Sequence, residues 1–473
     1  MRISLLLIFT LLTGLVSAQK QWTLQECVSY AMEHNINLQQ ADLNEILAEV
    51  GLKQSKGNMM PNLNASASHA YNWGRNIDPI TNTITTQSIQ RNSMGISSSV
   101  TLFNGFQRRN GLKQSMVNLE SVQLQNEQMR NDMALNIANA FLNILFNQEF
   151  YKIADANLEA TNAQAELIEK LFDAGQVPEG DLFEVQAQQA TDEAALLNAE
   201  NNLLISKLMM TQLLQLSSEE GQNFDIAVPE IESIDGIAMP SSVQLVIDKA
   251  LADYPSMEFA RKNVEFNSIG VDIAQGARMP NLGLNYSLGT GFSDQNVVGR
   301  DLVTIVPVVG TVAGTNQSVF GEEVSFFTAY ETKPFWDQFN DNINHGLVMS
   351  LSIPIFNGWS TENNIQRAQV NLMNAELDLE NSTNSLIQDI ERAWADAEVA
   401  KKNYDAAVKS VDASSKAHAY ATVQYEQGII TLVEFNQVRI RLDNAQANLI
   451  RNKYDYVFKA KILDFYQGIA ITL

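Results

Sequence analysis

The chain has 473 residues, enough for two or three ordinary domains, and 45% of them are hydrophobic, a globular rather than a disordered composition. Its formal net charge of −23 excludes the basic footprint that nucleic acid requires and disfavours docking on anionic lipid headgroups. Such a balance suits a soluble surface or a duct whose lumen is negative.

The N-terminus reads as an export signal. Arg2 supplies the positive end, residues 3–16 form an apolar run too short to span a membrane, and Val16-Ser17-Ala18 offers a cleavage site. A signal peptide over 1–18 is therefore expected. Cys27 follows Glu26 rather than the small residue of a lipoprotein site, so it is expected to be a small buried hydrophobe. Beyond the signal no apolar run is long enough for a transmembrane helix, which leaves a soluble protein or a β-barrel.

The mature chain reads as two equivalent halves, 19–216 and 242–473, joined by an acidic, Gly- and Pro-containing linker at 217–241. The first half opens with a helical segment over 23–58, interrupted near Asn35. Pro61 marks a boundary, and strict alternation over 62–73 and 93–103 predicts a β-hairpin across 62–103. A helix without proline follows from Gln107 to Phe172, with apolar residues spaced by three and four; it would extend on the order of 100 Å. The chain turns at 174–182, where Gly175 suits a helix C-cap and Asp181 an N-cap, and a second helix returns to about Leu216.

The second half repeats this plan. TLQECVSYAMEHN (23–35) aligns with SVQLVIDKALADY (242–254), and MPNL at 60–63 recurs at 279–282. Phe103-Asn104-Gly105 matches Phe356-Asn357-Gly358, and Gly175 matches Gly428. The helical segment 242–277 breaks at Tyr254-Pro255, and Pro280 opens a hairpin over 281–356, with strands at 281–289 and 346–356 and an insertion at about 290–344. A helix over 361–426, a turn at 427–435 and a return to about Tyr466 complete it.

No catalytic constellation is present. His34, His69, His345 and His418 are scattered, without paired ligand spacing, and GTGFSD at 289–294 opens no helix. No enzyme activity and no cofactor are expected. The strand pattern alone also fits a small soluble sheet with one buried face. The helices alone fit an exported coiled coil or adhesin stalk. If the strands are membranous, however, four cannot stand in lipid, because their edges would be unsatisfied and an ordinary barrel needs about 8. The copies must then assemble; this argument does not choose their number.

The signal, the duplicated plan, Met60-Pro61-Asn62-Leu63, the FNG boundaries and the glycine turns together resemble the TolC-like outer-membrane efflux proteins, over essentially the whole mature chain. The resemblance implies a mainly α protein with membrane β: a homotrimer with a twelve-stranded outer-membrane barrel and an α-helical periplasmic tunnel. It implies an exit duct of a tripartite efflux or type I secretion system, conducting small molecules or proteins passively. Its implied partners are a periplasmic adaptor (membrane fusion) protein, an inner-membrane pump reached through the adaptor, and outer-membrane lipid. Carried over by residue, Asp181, Tyr425 and Glu434 would form the periplasmic gate, and Gly175 and Gly428 the adaptor-docking turns. Pro61, Phe103, Gly105, Pro280, Phe356 and Gly358 would mark the passage from barrel to helix. Two positions depart from the family pattern: Ile430 replaces a basic residue of the closed state, and Gln437 replaces a second ring acid.

Overall fold

A computed structural model describes residues 21–78, 80–86, 88–228 and 239–469. The expected signal segment 1–18 and the middle of the linker lie outside the described residues. Two compact units emerge. Of the described residues, one unit gathers those up to Glu49, those within Val117–Phe266 and those from Met373 onward; the other gathers those within Val50–Met116 and Asn267–Leu372.

The halves match helix by helix. In the first, α1 (Leu24–His34) and α2 (Ile36–Gly57) have 11 and 22 residues. Their counterparts α6 (Val243–Asp253) and α7 (Pro255–Gly276) have 11 and 22 as well. The long helices α3 (Gln107–Asp173) and α9 (Ser360–Glu426) both have 67 residues. The returning helices α4 (Glu179–Leu214) and α10 (Leu432–Tyr466) have 36 and 35. The break in the first half falls at Asn35, whose extended backbone ends α1 while its amide donates to Leu213 O and its side-chain oxygen caps Asn37 N. In the second half the break is proline's doing: Tyr254 is extended because it precedes Pro255, which begins α7. The cores repeat too. Cys27, Ala31 and Leu38 pack with Met133 and Ile137; their counterparts Val246, Ala250 and Met257 pack with Leu386 and Ile390. Cys27 thus occupies the place of a buried valine, and it is fully buried.

The other unit carries a four-stranded antiparallel sheet. Its strands are β2 (Asn64–Asn72), β5 (Ile89–Asn104), β7 (Asn281–Ser293) and β12 (Asn344–Ser352), in the order β12-β7-β5-β2. The halves therefore meet at the β5–β7 pairing, and β2 and β12 are the edges. Alternation sorts the faces. On one, Leu282 faces Leu351, Leu284 faces Met349, Tyr286 faces Leu347 and Ile96 faces Leu288. On the other, Ser350 faces Gly283 and Ser97 faces Ser287. The apolar face is open in the single chain; Leu347, Met349 and Leu351 are 62–68% exposed.

Two strand bounds need correction, and two segments whose structure the sequence did not state are ordered. The last strand ends at Ser352 rather than 356, because Pro354 has no N–H for the ladder; Ile353, Ile355 and Phe356 lie beyond it, exposed. The strand expected from 93 begins at Ile89. The linker is not all coil: Ser217 and Glu220 form a capping box on α5 (Ser218–Gln222), and β6 (Asp225–Ile226) pairs in parallel with β1 (Gln21–Trp22). The insertion is ordered into strands. β8 (Val297–Ile305) pairs with β11 (Val324–Thr332), and β9 (Val308–Thr311) with β10 (Ser318–Phe320). The short helix α8 (Phe335–Asp341) follows. The first hairpin's loop holds β3 (Asn76–Ile77) and β4 (Ile84–Thr85). Among the described residues no helix is long and apolar enough to cross a membrane.

Both boundaries from strand to long helix use one device. Gly105 and Gly358 have φ of +65°, and the aromatic after each, Phe106 and Trp359, is also left-handed at +63° and +65°. A bulky residue there is a backbone outlier. An edge-to-face ring contact accompanies each, Phe103 with Phe106 and Phe356 with Trp359. At Gly105 a Cβ would collide with the carbonyl of Gly276, so two backbones touch where only glycine fits. Pro61 and Pro280 lie just before β2 and β7, the strands that open the sheet's two hairpins.

Candidate functional site at the helical turns

The two helical hairpins turn through the same motif. At the end of α3, Gly175 N donates to Phe172 O and Gln176 N to Leu171 O, both at 2.8 Å, with Gly175 at φ +72°. At the end of α9, Gly428 N donates to Tyr425 O at 2.9 Å and Ile429 N to Gln424 O at 2.8 Å, with Gly428 at φ +70°. These crossed bonds satisfy carbonyls that a helix end leaves open, and glycine takes the left-handed position at no steric cost. A Cβ at either glycine would meet nothing, so backbone conformation alone is the reason for glycine.

The returning helices start differently. Thr431 caps α10 in a reciprocal box: Glu434 N donates to its hydroxyl, while Thr431 N and Oγ1 donate to Glu434 Oε2 at 2.8 and 3.0 Å. Those bonds hold the Glu434 carboxyl below the usual range. Pro178 caps α4 with no side-chain bond, so Asp181 is not the cap expected from sequence. It stands with Glu179 in the first turn, where the helix dipole favours acids.

Behind the turns, Ile168, Val185 and Leu432 are buried together, and Tyr425 packs on this cluster with its ring stacked 5.0 Å from that of Phe435. Burial pushes the Tyr425 hydroxyl up; the Gln164 amide beside it opposes this, and the Asp181 charge adds to the rise. Tyr425 and Asp181 are thus close enough for the charge of one to act on the hydroxyl of the other. Glu434 lies exposed on α10, engaged with Thr431.

Sequence reasoning missed the polar cluster further along the same helices. Arg439 of α10 is 8% exposed and Thr161 of α3 is fully buried. Arg439 donates to Thr161 Oγ1 at 2.8 Å and to Asp192 Oδ2 of α4 at 3.3 Å. Thr161 in turn donates to Asp192 at 2.5 Å, and Gln188 to the other Asp192 oxygen at 2.8 Å. The cluster ties the first hairpin to the second. Its satisfaction is incomplete, since Arg439 Nε and Asn436 Oδ1 are buried without partners in this chain. A sequence signal existed: Asn436, Arg439 and Asp443 continue at helical spacing the stripe that buries Leu432.

Asp443 shares this environment. Burial raises its carboxyl; Arg439 and His418 oppose the rise and Asp192 adds to it. A carboxyl with a raised folded pKa contributes stability below its unfolded pKa and loses it as pH rises through the folded one. Asp443→Asn is therefore expected to raise the melting temperature at pH 7, with the gain shrinking as pH falls toward 4. A gain that grows on acidification would contradict this.

The fold is one seen in solved outer-membrane channels. It matches the Campylobacter jejuni CmeC outer membrane channel with a TM-score of 0.75 at 16% identity, covering 94% of this chain and 86% of that one. It matches the outer membrane protein VceC of Vibrio cholerae at 0.74 and 16%, covering 95% and 97%. A curated relative, outer membrane efflux protein BepC of Brucella suis biovar 1 (strain 1330), is 24% identical over 315 residues. That alignment covers 64% of each protein, so the chain spans just under two thirds of this relative's length. The family model for outer membrane efflux protein matches residues 27–215 and 246–466. The chain belongs to the outer membrane efflux protein family. It is an outer-membrane protein.

Proposed function

We propose that three copies of this chain close into a passive exit duct across the outer membrane and periplasm, receiving its cargo from a periplasmic adaptor and an inner-membrane pump. The observation that carries the reading is the sheet with two open edges. Because its four strands alternate in direction, β2 of one copy can pair antiparallel with β12 of the next. Three sheets then give twelve strands and no edge in lipid. The apolar face meets lipid and the serine- and glycine-rich face lines the lumen.

Internal duplication supports this closure. Within the chain, β5 of the first half pairs with β7 of the second; the equivalent pairing is β12 with the β2 of a neighbour. Within the chain, Gly105 lies against Gly276; the equivalent glycines Gly358 and Gly57 have open space around them. Lys262 bonds Glu120 at 2.7 Å; their equivalents, Leu43 and Met373, are 59% and 60% exposed. Contacts satisfied once inside the chain are thus vacant at the matching positions, where a second copy would fill them.

Conduction stores no energy. Opening requires the hairpin turns to separate, biased by an adaptor that docks at Gly175 and Gly428. Asp181, Tyr425 and Glu434 form the gate, and three copies of Glu434 place a negative collar at the constriction. Planar-bilayer recording tests the reading: the purified protein is expected to give discrete, cation-selective conductance, and Glu434→Gln to lower that selectivity. A protein that inserts no channels defeats the duct; unchanged selectivity in the variant defeats the collar. No observation favours the stalk.

A further inference from the structure

The β8–β11 ribbon is the largest feature that the duct does not use. Its strands have 9 residues each, and β9 and β10 continue it outward. One face of its outer half is apolar throughout, and the other carries an apolar pair beside the hydrogen-bonded Thr304 and Ser325. Val303 faces Phe326 and Ile305 faces Val324 on one side, and Leu302 faces Phe327 on the other. All six are 38–59% exposed. A lone two-stranded ribbon is marginal in water, and exposed apolar side chains in such a cluster mark an interface.

We infer that the three ribbons of the assembly pack on one another at the outer mouth of the barrel. This rests on the trimeric reading above. The ribbon leaves the sheet between β7 and β12, beside the edge that must pair with the next copy, so it is rooted at the seam. Its reach also fits. Nine residues extend about 30 Å. A barrel of twelve strands about 4.8 Å apart and tilted about 40° has a radius of roughly 12 Å. Each ribbon can thus cross to the barrel axis and overlap the other two. The occupant of each ribbon's apolar cluster is therefore the ribbon of another copy.

Photocrosslinking tests this in the assembled protein. A benzophenone amino acid replaces Leu302 or Phe326, one on each face, with a control at Leu347 on the barrel wall. Illumination in outer-membrane vesicles is expected to join two or three chains from at least one ribbon position, with the product mapped to another ribbon, and to label lipid from Leu347. A native mass of three chains is measured on the same samples. Three chains with ribbon products on lipid, on another protein or absent overturn the ribbon packing alone; a mass other than three chains overturns the assembly beneath it. Replacing 297–332 by a short turn is expected to lower the temperature at which the trimer dissociates in detergent by several degrees, and an unchanged temperature overturns the proposal.

Discussion

Arg439→Ala is expected to cost about 3–5 kcal/mol, because it strands the Asp192 carboxylate beneath the helices with its cation gone. The cost comes less from the lost bond than from the charge left behind. The side chains are only 10% and 13% exposed, so water reaches little of either group. Thr161 and Gln188 still donate to Asp192, which sets the loss toward the lower end. Replacing both partners by apolar residues, Arg439→Met with Asp192→Leu, is expected to recover most of it. Urea unfolding of the detergent-purified protein, followed by helical ellipticity, separates the outcomes. A single variant within about 1 kcal/mol of wild type, or a double variant worse than either single one, contradicts this account of the cluster.

Leu284→Arg is the second large effect. Leu284 lies within β7, flanked on the apolar face by Met349 and Val100. With the apolar face on lipid, as proposed, an arginine near mid-membrane costs about 2–4 kcal/mol, and an assembly of three would bear it three times. Assembly in the membrane is expected to fall sharply. Asn285→Arg, one residue on, points to the other face, toward Val348 and Ser99, and is expected to leave assembly near wild type. The amount of heat-resistant trimer in outer-membrane fractions reports both. Equal loss in the two variants contradicts the assignment of faces.

Much of the architecture was legible because it is periodic. The 67-residue helices announce themselves by apolar spacing and by the absence of proline, and the strands by alternation. Duplication was legible because MPNL and FNG stand where the chain changes structure, and the glycine of FNG has a backbone reason to stay. What failed was local or tertiary. Pro354 had to outweigh an alternating pattern that runs on through Ile355. Asp181 looked like a cap, but Pro178 holds that position, while the box of Thr431 with Glu434 passed unnoticed. The insertion carries valine and phenylalanine on both faces, so period two does not mark its strands as it does those of the four-stranded sheet. The Arg439 cluster draws on three helices far apart in sequence, and no local pattern states that they meet. The gate residues came from resemblance, and within the single chain Tyr425 serves in packing and Glu434 in capping.

The central claim is a closed ring of three, joined through positions that internal duplication marks as vacant. Leu43→Cys with Met373→Cys places one thiol on each side of that seam, in a chain whose own cysteine is fully buried. A short bifunctional thiol reagent on intact outer membranes should then give a covalent ladder of one, two and three chains that stops at three, with each single variant giving none. A ladder that stops at two, runs past three or never forms would contradict the ring.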